Sequence, residues 1–465
     1  MQVYLPKCIF NTASKDLFFE GKQEKGAITA FLIGVIIGRI KTAAIAIGGI
    51  WMLEGKIIKF YREFKQIKQK DLGEAICSAT HISKIERGLT EVSKETIQLL
   101  SERLGITMKN EIENYHRIEA LLKEWHESII KKIQTKSDGI KKQLDDIHLL
   151  RIQDFHRTYT LILTRYYLSA SDFLQAKKLI DEMDTWTELS PYEHNMFMHI
   201  KGIYYMRENH DFFKAISLLK EIRLSDYANP EYFYDLAVAY HSIHSNVLAY
   251  FYANKALQFF MEKRSFSRII ESEMLMLIQL EQSEDTGFDN REYERLIDMA
   301  EDYGLEHQRA LLHHNYAYSQ LRKGQFKSAG EYYKKSLSFR EDHDPNFLGS
   351  LEGYINSLTK EGETTKEELL SLVEKGLHLS ENGKNPTFYH FFTLHYLNIK
   401  GNVEGYYEYL EAEAFPYFKK MGYVLPTEHY GLKLFDFHME QGNMEKANSY
   451  ARGLMEKFRR NNQFV

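Results

Sequence analysis

Seven polar side chains crowd one short stretch of this chain: Gln69, Lys70, Ser78, Thr80, His81, Ser83 and Lys84. Their amide, hydroxyl, imidazole and ammonium groups suit base edges and phosphate oxygens. Such contacts need a rigid presenting surface, and the residues between them supply it. Leu72, Ile76, Ile82 and Ile85 have the apolar spacing of two short helices packed together across a tight turn. Gly88 then follows the second helix, free to take positive φ and end it. This is the helix-turn-helix arrangement that pushes a second helix into the DNA major groove.

The flanking residues complete a small helical domain. Lys56 to Phe64 predicts a first helix with Ile57, Phe60, Tyr61 and Phe64 on one face. Ser93 is placed to cap a helix that runs to Leu104 and ends at Gly105, with Glu95 in its first turn. We therefore take residues 52–110 as a helix-turn-helix domain. Residues 111–143 read as a linker helix or dimer contact, with one charged helix over Glu111–Lys136 carrying Ile118, Leu121, Leu122, Trp125 and Ile129 on a single stripe.

From residue 144 to 465 the chain repeats itself as helix pairs at intervals of about 34–45 residues. Each second helix carries a small residue flanked by aromatics. The best instances are Asp172 to Ala176, Asp211 to Ala215, Gly324 to Ala329 and Gln441 to Ala447; Leu236 to Tyr240, with Ala249 and Ala256, fits the same template. Small residues let paired helices approach, and aromatics fill the gap to the next pair. The pattern resembles tetratricopeptide (TPR) repeats, in about eight degenerate copies. The fold class is accordingly all-α: an N-terminal helix-turn-helix domain followed by a TPR superhelical array with a groove suited to peptides or partner helices.

Composition agrees. At 465 residues the chain exceeds a single core. Its 31 Tyr and 29 Phe are best read as repeat packing, and its two cysteines, Cys8 and Cys77, argue against a disulfide framework or zinc cluster and for a reducing cytoplasm. The net charge of −5 alone would discourage a nucleic-acid partner, but its distribution points the other way. Between Glu54 and Lys109 stand eleven Lys/Arg against eight Asp/Glu, a local +3 that leaves −8 for the remainder. Residues 1–51 form an N-terminal extension whose apolar segment, Gly26–Leu53, is interrupted by Arg39 and Lys41. Neither half reaches the roughly twenty residues that cross a bilayer. The better reading is an upstream extension, translated or not, with the functional chain starting near Met52. No phosphate loop, metal-ligand motif or nucleophile elbow is present, so no cofactor, metal or catalytic residue is expected. His313 and His314 are adjacent, point to different sides of a helix and cannot share a metal.

Together these features make the chain resemble the RNPP family of Gram-positive regulators, and its NprR- and PlcR-like members in particular. The Ile76-Cys77 pair between the two helices and the run Ser78-x-x-x-Ile82-Ser83-Lys84-Ile85-Glu86-x-Gly88 carry the likeness, which covers Met52 to Val465. The resemblance implies a transcriptional regulator, working as a homodimer on double-stranded DNA, whose groove binds a short signalling peptide of the quorum-sensing type. It implies DNA contact by the seven polar residues above. It also implies a groove lined by the first helix of each pair, where asparagines clamp peptide bonds by offering both donor and acceptor. Asn315 falls at such a place, fourteen residues before Ala329; Asp235 stands equivalently before Ala249 and Lys201 before Ala215, with His314, Tyr318, Tyr234 and Tyr204 nearby. Ordinary repeat packing is the competing reading of these residues.

Two further functions stand beside this one. The array could act as a protein-interaction switch that sequesters a response regulator in sporulation or phosphorelay control. A membrane-tethered regulator using Gly26–Leu53 is the weakest of the three.

Overall fold

The computed structural model describes residues 52–281, 291–344, 346–383 and 385–462. The apolar segment before Met52 and both its suggested roles lie outside these residues. Among the described residues the chain is helical throughout, with no strand, and it divides into two compact units. Of the described residues, the first takes in 52–118 together with Ile147–Ile152; the second comprises Glu119–Asp146 and those from Gln153 onward.

The first unit is built from α1 (residues 52–64), α2 (Gln69–Gly73), α3 (Ala79–Glu86), α4 (Lys94–Leu104) and the opening turns of α5 (Met108–Ile130). Its core is Ile57, Ile58, Leu72, Ile82, Ile85, Ile97, Leu100 and Leu104, all buried. The expected caps and helix ends are present. Ser93 Oγ accepts from Thr96 N at 3.2 Å, and Gly105 ends α4 at φ 64°. Gly88 closes α3 at φ 65°. Gly55 serves another purpose: α1 crosses the end of α3 so closely that a Cβ there would lie 2.0 Å from the Ile85 carbonyl oxygen.

The single helix expected over Glu111–Lys136 is instead two. Helix α5 stops at Ile130, Lys132 takes φ 55°, and α6 (Gln134–Asp145) turns back. The break has a packing cause. Trp125, fully buried, donates from Nε1 to Ser137 Oγ at 2.9 Å and packs against the rings of Tyr159 and Tyr166. Tyr166 and Tyr159 in turn donate to Asp138 and Asp145 of α6 at 2.9 and 3.1 Å. The apolar stripe thus buries itself by folding over, not by running on as a spacer.

Eight helix pairs follow: α7 (Gln153–Ser169) with α8 (Phe173–Met183), α9 (Pro191–Arg207) with α10 (Phe212–Lys220), α11 (Tyr232–Ser242) with α12 (Asn246–Glu262), α13 (Phe266–Glu281) with α14 (Arg291–Asp302), α15 (Glu306–Arg322) with α16 (Phe326–Ser338), α17 (Phe347–Glu361) with α18 (Lys366–Asn382), α19 (Pro386–Lys400) with α20 (Val403–Tyr409), and, after α21 (Phe415–Lys420), α22 (Val424–Glu440) with α23 (Met444–Asn462). The π turn Leu410–Ala414 joins α20 to α21. Ala176, Ala215, Ala249, Ala256, Ala329 and Ala447 are fully buried, as the repeat pattern requires. The Asp-Phe signature is also explained. One residue turns left-handed between paired helices, as at Ser171 and His210, and the next, Asp172 or Asp211, caps the second helix by accepting from Gln175 N or Lys214 N.

Two substitutions separate close approach from mere helix propensity. Gly55→Ala meets backbone that cannot step aside, so it should destabilise the first unit by at least about 1–3 kcal/mol. Gly139→Ala, in α6 with no atom within 4 Å of a new Cβ, should stabilise by roughly 0.5–1 kcal/mol. Thermal unfolding of both variants beside the parent checks the opposite signs.

Candidate functional site

Each unit carries one candidate. In the first, α3 turns Ile82 and Ile85 inward and leaves Thr80, Lys84 and Arg87 exposed on one stripe, with Ser83 half-buried between them. His81 is half-buried beside this face, and Lys70 stands exposed on α2. Ser78 is exposed too, but its hydroxyl oxygen is the N-cap of α3, accepting from His81 N at 3.2 Å. Gln69 is drawn inward: its Nε2 donates to Glu86 Oε2 at 2.8 Å.

Glu86 explains that inward turn. It is buried, and its carboxylate is held by Arg62, whose Nη2 donates to Oε2 at 3.0 Å. One carboxylate thereby ties α1, α2 and α3 together and sets the angle at which α3 presents its stripe. Arg103 of α4 steadies the other end, donating from Nη1 to the Leu72 carbonyl at 2.9 Å and the Glu74 carbonyl at 2.6 Å. Arg87 does not stand out in the sequence, because it follows the last apolar residue of α3. Its place one further turn along from Thr80 and Lys84 is the signal that identifies it.

In the second unit, the first helices of successive pairs bring a row of charged and polar groups into contact. Arg165 of α7 donates from Nη2 to Glu231 Oε2 at 2.7 Å and meets His199 Nδ1 of α9 at 3.1 Å. His199 Nε2 lies 2.7 Å from Asp235 Oδ2 of α11, and its Nδ1 3.1 Å from the Tyr227 hydroxyl. Arg268 of α13 donates to Glu271 Oε2 at 2.6 Å, with its guanidinium 4.1 Å from the Tyr234 ring centroid and 4.6 Å from that of Phe260. Gln308 of α15 reaches Glu271 Oε1 at 3.3 Å. Arg165, His199, Glu231, Arg268 and Glu271 are all buried.

The electrostatics follow from that burial. Burial alone would raise the Glu231 carboxyl, but Arg165, His199 and Arg268 more than offset it, and the group is pulled down to about 2. Glu271 is likewise lowered to about 2, Lys132 and Arg268 overcoming burial. Burial holds His314 neutral at about 4, with Arg340 adding to the effect.

Of the seven residues expected to line a peptide groove, Asp235 and Tyr234 belong to this row. Asn315 lies seven residues from Gln308 on the same side of α15, and its Nδ2 donates to the Leu311 carbonyl at 3.0 Å and meets Met274 Sδ at 3.1 Å. His314 turns toward α17, with Nδ1 3.0 Å from Ser350 Oγ, while Tyr318 is exposed. His313 packs instead between the rings of Tyr332 and Phe339, so the adjacent histidines do diverge. Lys201 and Tyr204 are not brought into the row. Lys201 pairs with Asp184, just past the end of α8, at 2.5 Å, and the residue of α9 that faces Asp235 is His199. Counting fourteen residues back from the small residue lands on a different face of α9 from His199. Arg165, Glu231, Arg268 and Glu271 escape sequence reasoning altogether, because nothing local distinguishes them from solvated charges. Among the described residues no group of three or more His, Cys, Asp or Glu could hold a metal, and no helix is long and apolar enough to cross a membrane.

Comparison with known proteins adds four findings. Residues 58–109 match the helix-turn-helix family model. Transcriptional activator NprA of Geobacillus stearothermophilus is 24% identical over 413 residues, 82% of this chain and 97% of the relative. Response regulator aspartate phosphatase I of Bacillus subtilis is 21% identical over 389 residues, 77% of this chain and 94% of the relative. Among solved structures, NprR in complex with its cognate peptide NprX shares the fold: TM-score 0.58, 19% identity, 73% of this chain and 99% of that one.

The Arg165–Glu231 pair supports a test with a definite sign. Arg165→Met strands a buried carboxylate and should cost about 3–5 kcal/mol at neutral pH. Glu231 is depressed in the folded chain, so its contribution is full above the usual glutamate value of 4.5 and fades toward 2. The parent should lose stability across that window. The gap between parent and variant should narrow near its lower end, since a protonated Glu231 needs no cation. Melting temperatures at neutral and acid pH check both.

Proposed function

We infer that this chain is a member of the RNPP family of peptide-responsive regulators, a DNA-binding transcriptional regulator whose helical array senses a short signalling peptide. The observation that carries it is the pairing, in one chain, of an exposed Thr80–Lys84–Arg87 stripe on a helix-turn-helix with an array whose first helices share a row of buried charged and polar groups. Transcriptional activator NprA aligns along both halves, and NprR, solved with its cognate peptide, has the same fold.

On DNA, the N-terminal turn of α3 enters the major groove. Thr80, His81, Ser83 and Lys84 meet base edges and phosphates, and Lys70, Ser78 and Arg87 meet the backbone. Gln69 acts through Glu86 as a positioning residue. A homodimer places two such heads on paired half-sites. Work of this kind is binding, not turnover, and it takes place in the cytoplasm, where the DNA is. In the array, Asn315, Asp235 and Tyr234, with His314 and Tyr318 at the margin, are the peptide contacts. Lys201 and Tyr204 stand outside the row, so a part for them needs a ligand that reaches past it. A peptide acts on DNA binding only by preferring one arrangement of the array to another.

A second reading is favoured by one observation, the similarity to response regulator aspartate phosphatase I, which covers 77% of this chain. In it the array binds a response regulator, as well as or instead of peptide.

Lys84→Ala is expected to lower affinity for the operator about tenfold and to reduce the slope of log K against log salt by about one. Selection of a binding site from random duplexes, followed by titration at several salt concentrations, reads both. No selected site would sink the regulator reading. Light scattering with pools of short peptides then tests the sensor: a change in mass or DNA affinity that Asn315→Ala abolishes supports the groove. Peptide indifference alongside capture of a response regulator would favour the second reading.

A further inference from the structure

The turn between α5 and α6 does more than reverse the chain. Lys132, at the left-handed position of that turn, sends its Nζ to Glu271 Oε2 at 2.8 Å, across 139 residues of sequence. The turn leans on the array in two other places. Ile130 packs with Ala256, Phe259, Phe260 and Ile269, and Ser267 Oγ donates to the Lys131 carbonyl at 3.4 Å.

Three donors surround the Glu271 carboxylate, and they differ in kind. Arg268 is 2% exposed and clamped between two aromatic rings, while Gln308 is 7% exposed. Neither can leave without repacking α13 or α15. Lys132 differs: although burial holds its ammonium below the usual lysine range, it stands on a turn and its side chain is 49% exposed, so it can leave without repacking a helix. The site also has an unused donor: Arg268 Nε is buried with no hydrogen-bond partner among the described residues. A buried anion with two fixed donors, one removable cation and a spare N–H beside it is built like a binding subsite whose occupant belongs to the chain itself.

We propose that Glu271, fixed by Arg268 and Gln308, is a cation-accepting subsite of the array that Lys132 fills from within, and that a peptide bearing an ammonium or guanidinium group displaces it. The proposal rests on the reading of the array as a peptide sensor. A ligand cation takes the place of the Lys132 ammonium on Glu271, and a neighbouring peptide carbonyl can accept from Arg268 Nε. Lys132 leaves to water, and the α5–α6 turn keeps only its apolar contact and one long hydrogen bond. Since α5 is the helix that opens at Met108 in the first unit, release of its far end is the step through which ligand chemistry reaches that helix. The ligand's charge, not its length, is therefore what the turn responds to.

The test uses the full chain, fluorescence polarisation and amide hydrogen exchange. The probes are two random heptapeptide pools, one with a fixed central lysine and one with norleucine in its place. In Lys132→Met, exchange over residues 126–133 should rise about fivefold or more, because the turn loses its ion pair while Glu271 keeps Arg268 and Gln308. The same variant should bind the lysine pool several-fold better than the norleucine pool. Lys132→Arg should restore the parent's behaviour, and adding Glu271→Gln to Lys132→Met should erase the preference. Should the double variant fail to fold, the Met and Arg variants still decide. Unchanged exchange in Lys132→Met, or equal binding of the two pools, overturns the subsite while leaving the sensor reading intact. Binding of neither pool by any variant overturns the sensor reading and the subsite with it.

Discussion

The array depends on burying charge in matched pairs. Stacked helix pairs gain most of their stability from apolar faces, and their cores here are alanines flanked by tyrosines and phenylalanines. Along the inner row that rule is broken at every step, by Arg165, His199, Glu231, Arg268 and Glu271. Each is tolerated because a partner lies within hydrogen-bond reach: from another pair for Arg165, His199 and Glu231, and one turn away on α13 itself for Arg268 and Glu271. A buried ion pair adds little net stability over apolar residues of the same size, yet removal of one member is costly. The row thus acts as a register: only a stack with α7, α9, α11 and α13 at the right spacing satisfies all of these groups together. Desolvation makes any mis-stacked alternative expensive.

The helix-turn-helix unit solves a smaller version of the same problem. Its core is conventional, but the relative placement of α1, α2 and α3 turns on Glu86, buried and shared by Arg62 and Gln69. Gly55 lets α1 cross near the end of α3, and Arg103 gathers the carbonyls left at the end of α2. None of these groups needs to touch DNA. They hold the angle of a stripe formed by Thr80, Lys84 and Arg87, and a recognition surface is only as discriminating as the rigidity behind it.

Much of this is legible in the chain. Serine caps, glycine ends, apolar spacing and the recurring Asp-Phe signature are local chemistry, and each appears where its residues predict it: Ser93, Gly105, Gly88, Asp172 and Asp211 all hold the geometry that their type favours. What is illegible is the direction in which particular side chains spend their hydrogen bonds. Ser78 has the chemistry of a contact residue and is also a cap. Gln69 reads as outward-facing and turns to Glu86. The stripe over Ile118 to Ile129 predicts one helix from Glu111 to Lys136, but Trp125 finds Ser137 and two tyrosines, and the helix breaks to let it.

Sequence by itself determined the helical class, the helix-turn-helix, the repeat and the polar residues on α3, because those follow from intervals of three to seven residues and from turn chemistry acting between neighbours. Tertiary structure alone decided which face of α9 meets α11, so that His199 and not Lys201 faces Asp235. It also decided that Arg165 finds Glu231 across 66 residues and Lys132 finds Glu271 across 139. The reason is physical. A charge in a helical stretch reads as solvated until the stacking of distant helices removes its water, and the identity of its partner is set by that stacking and by nothing near it in the chain.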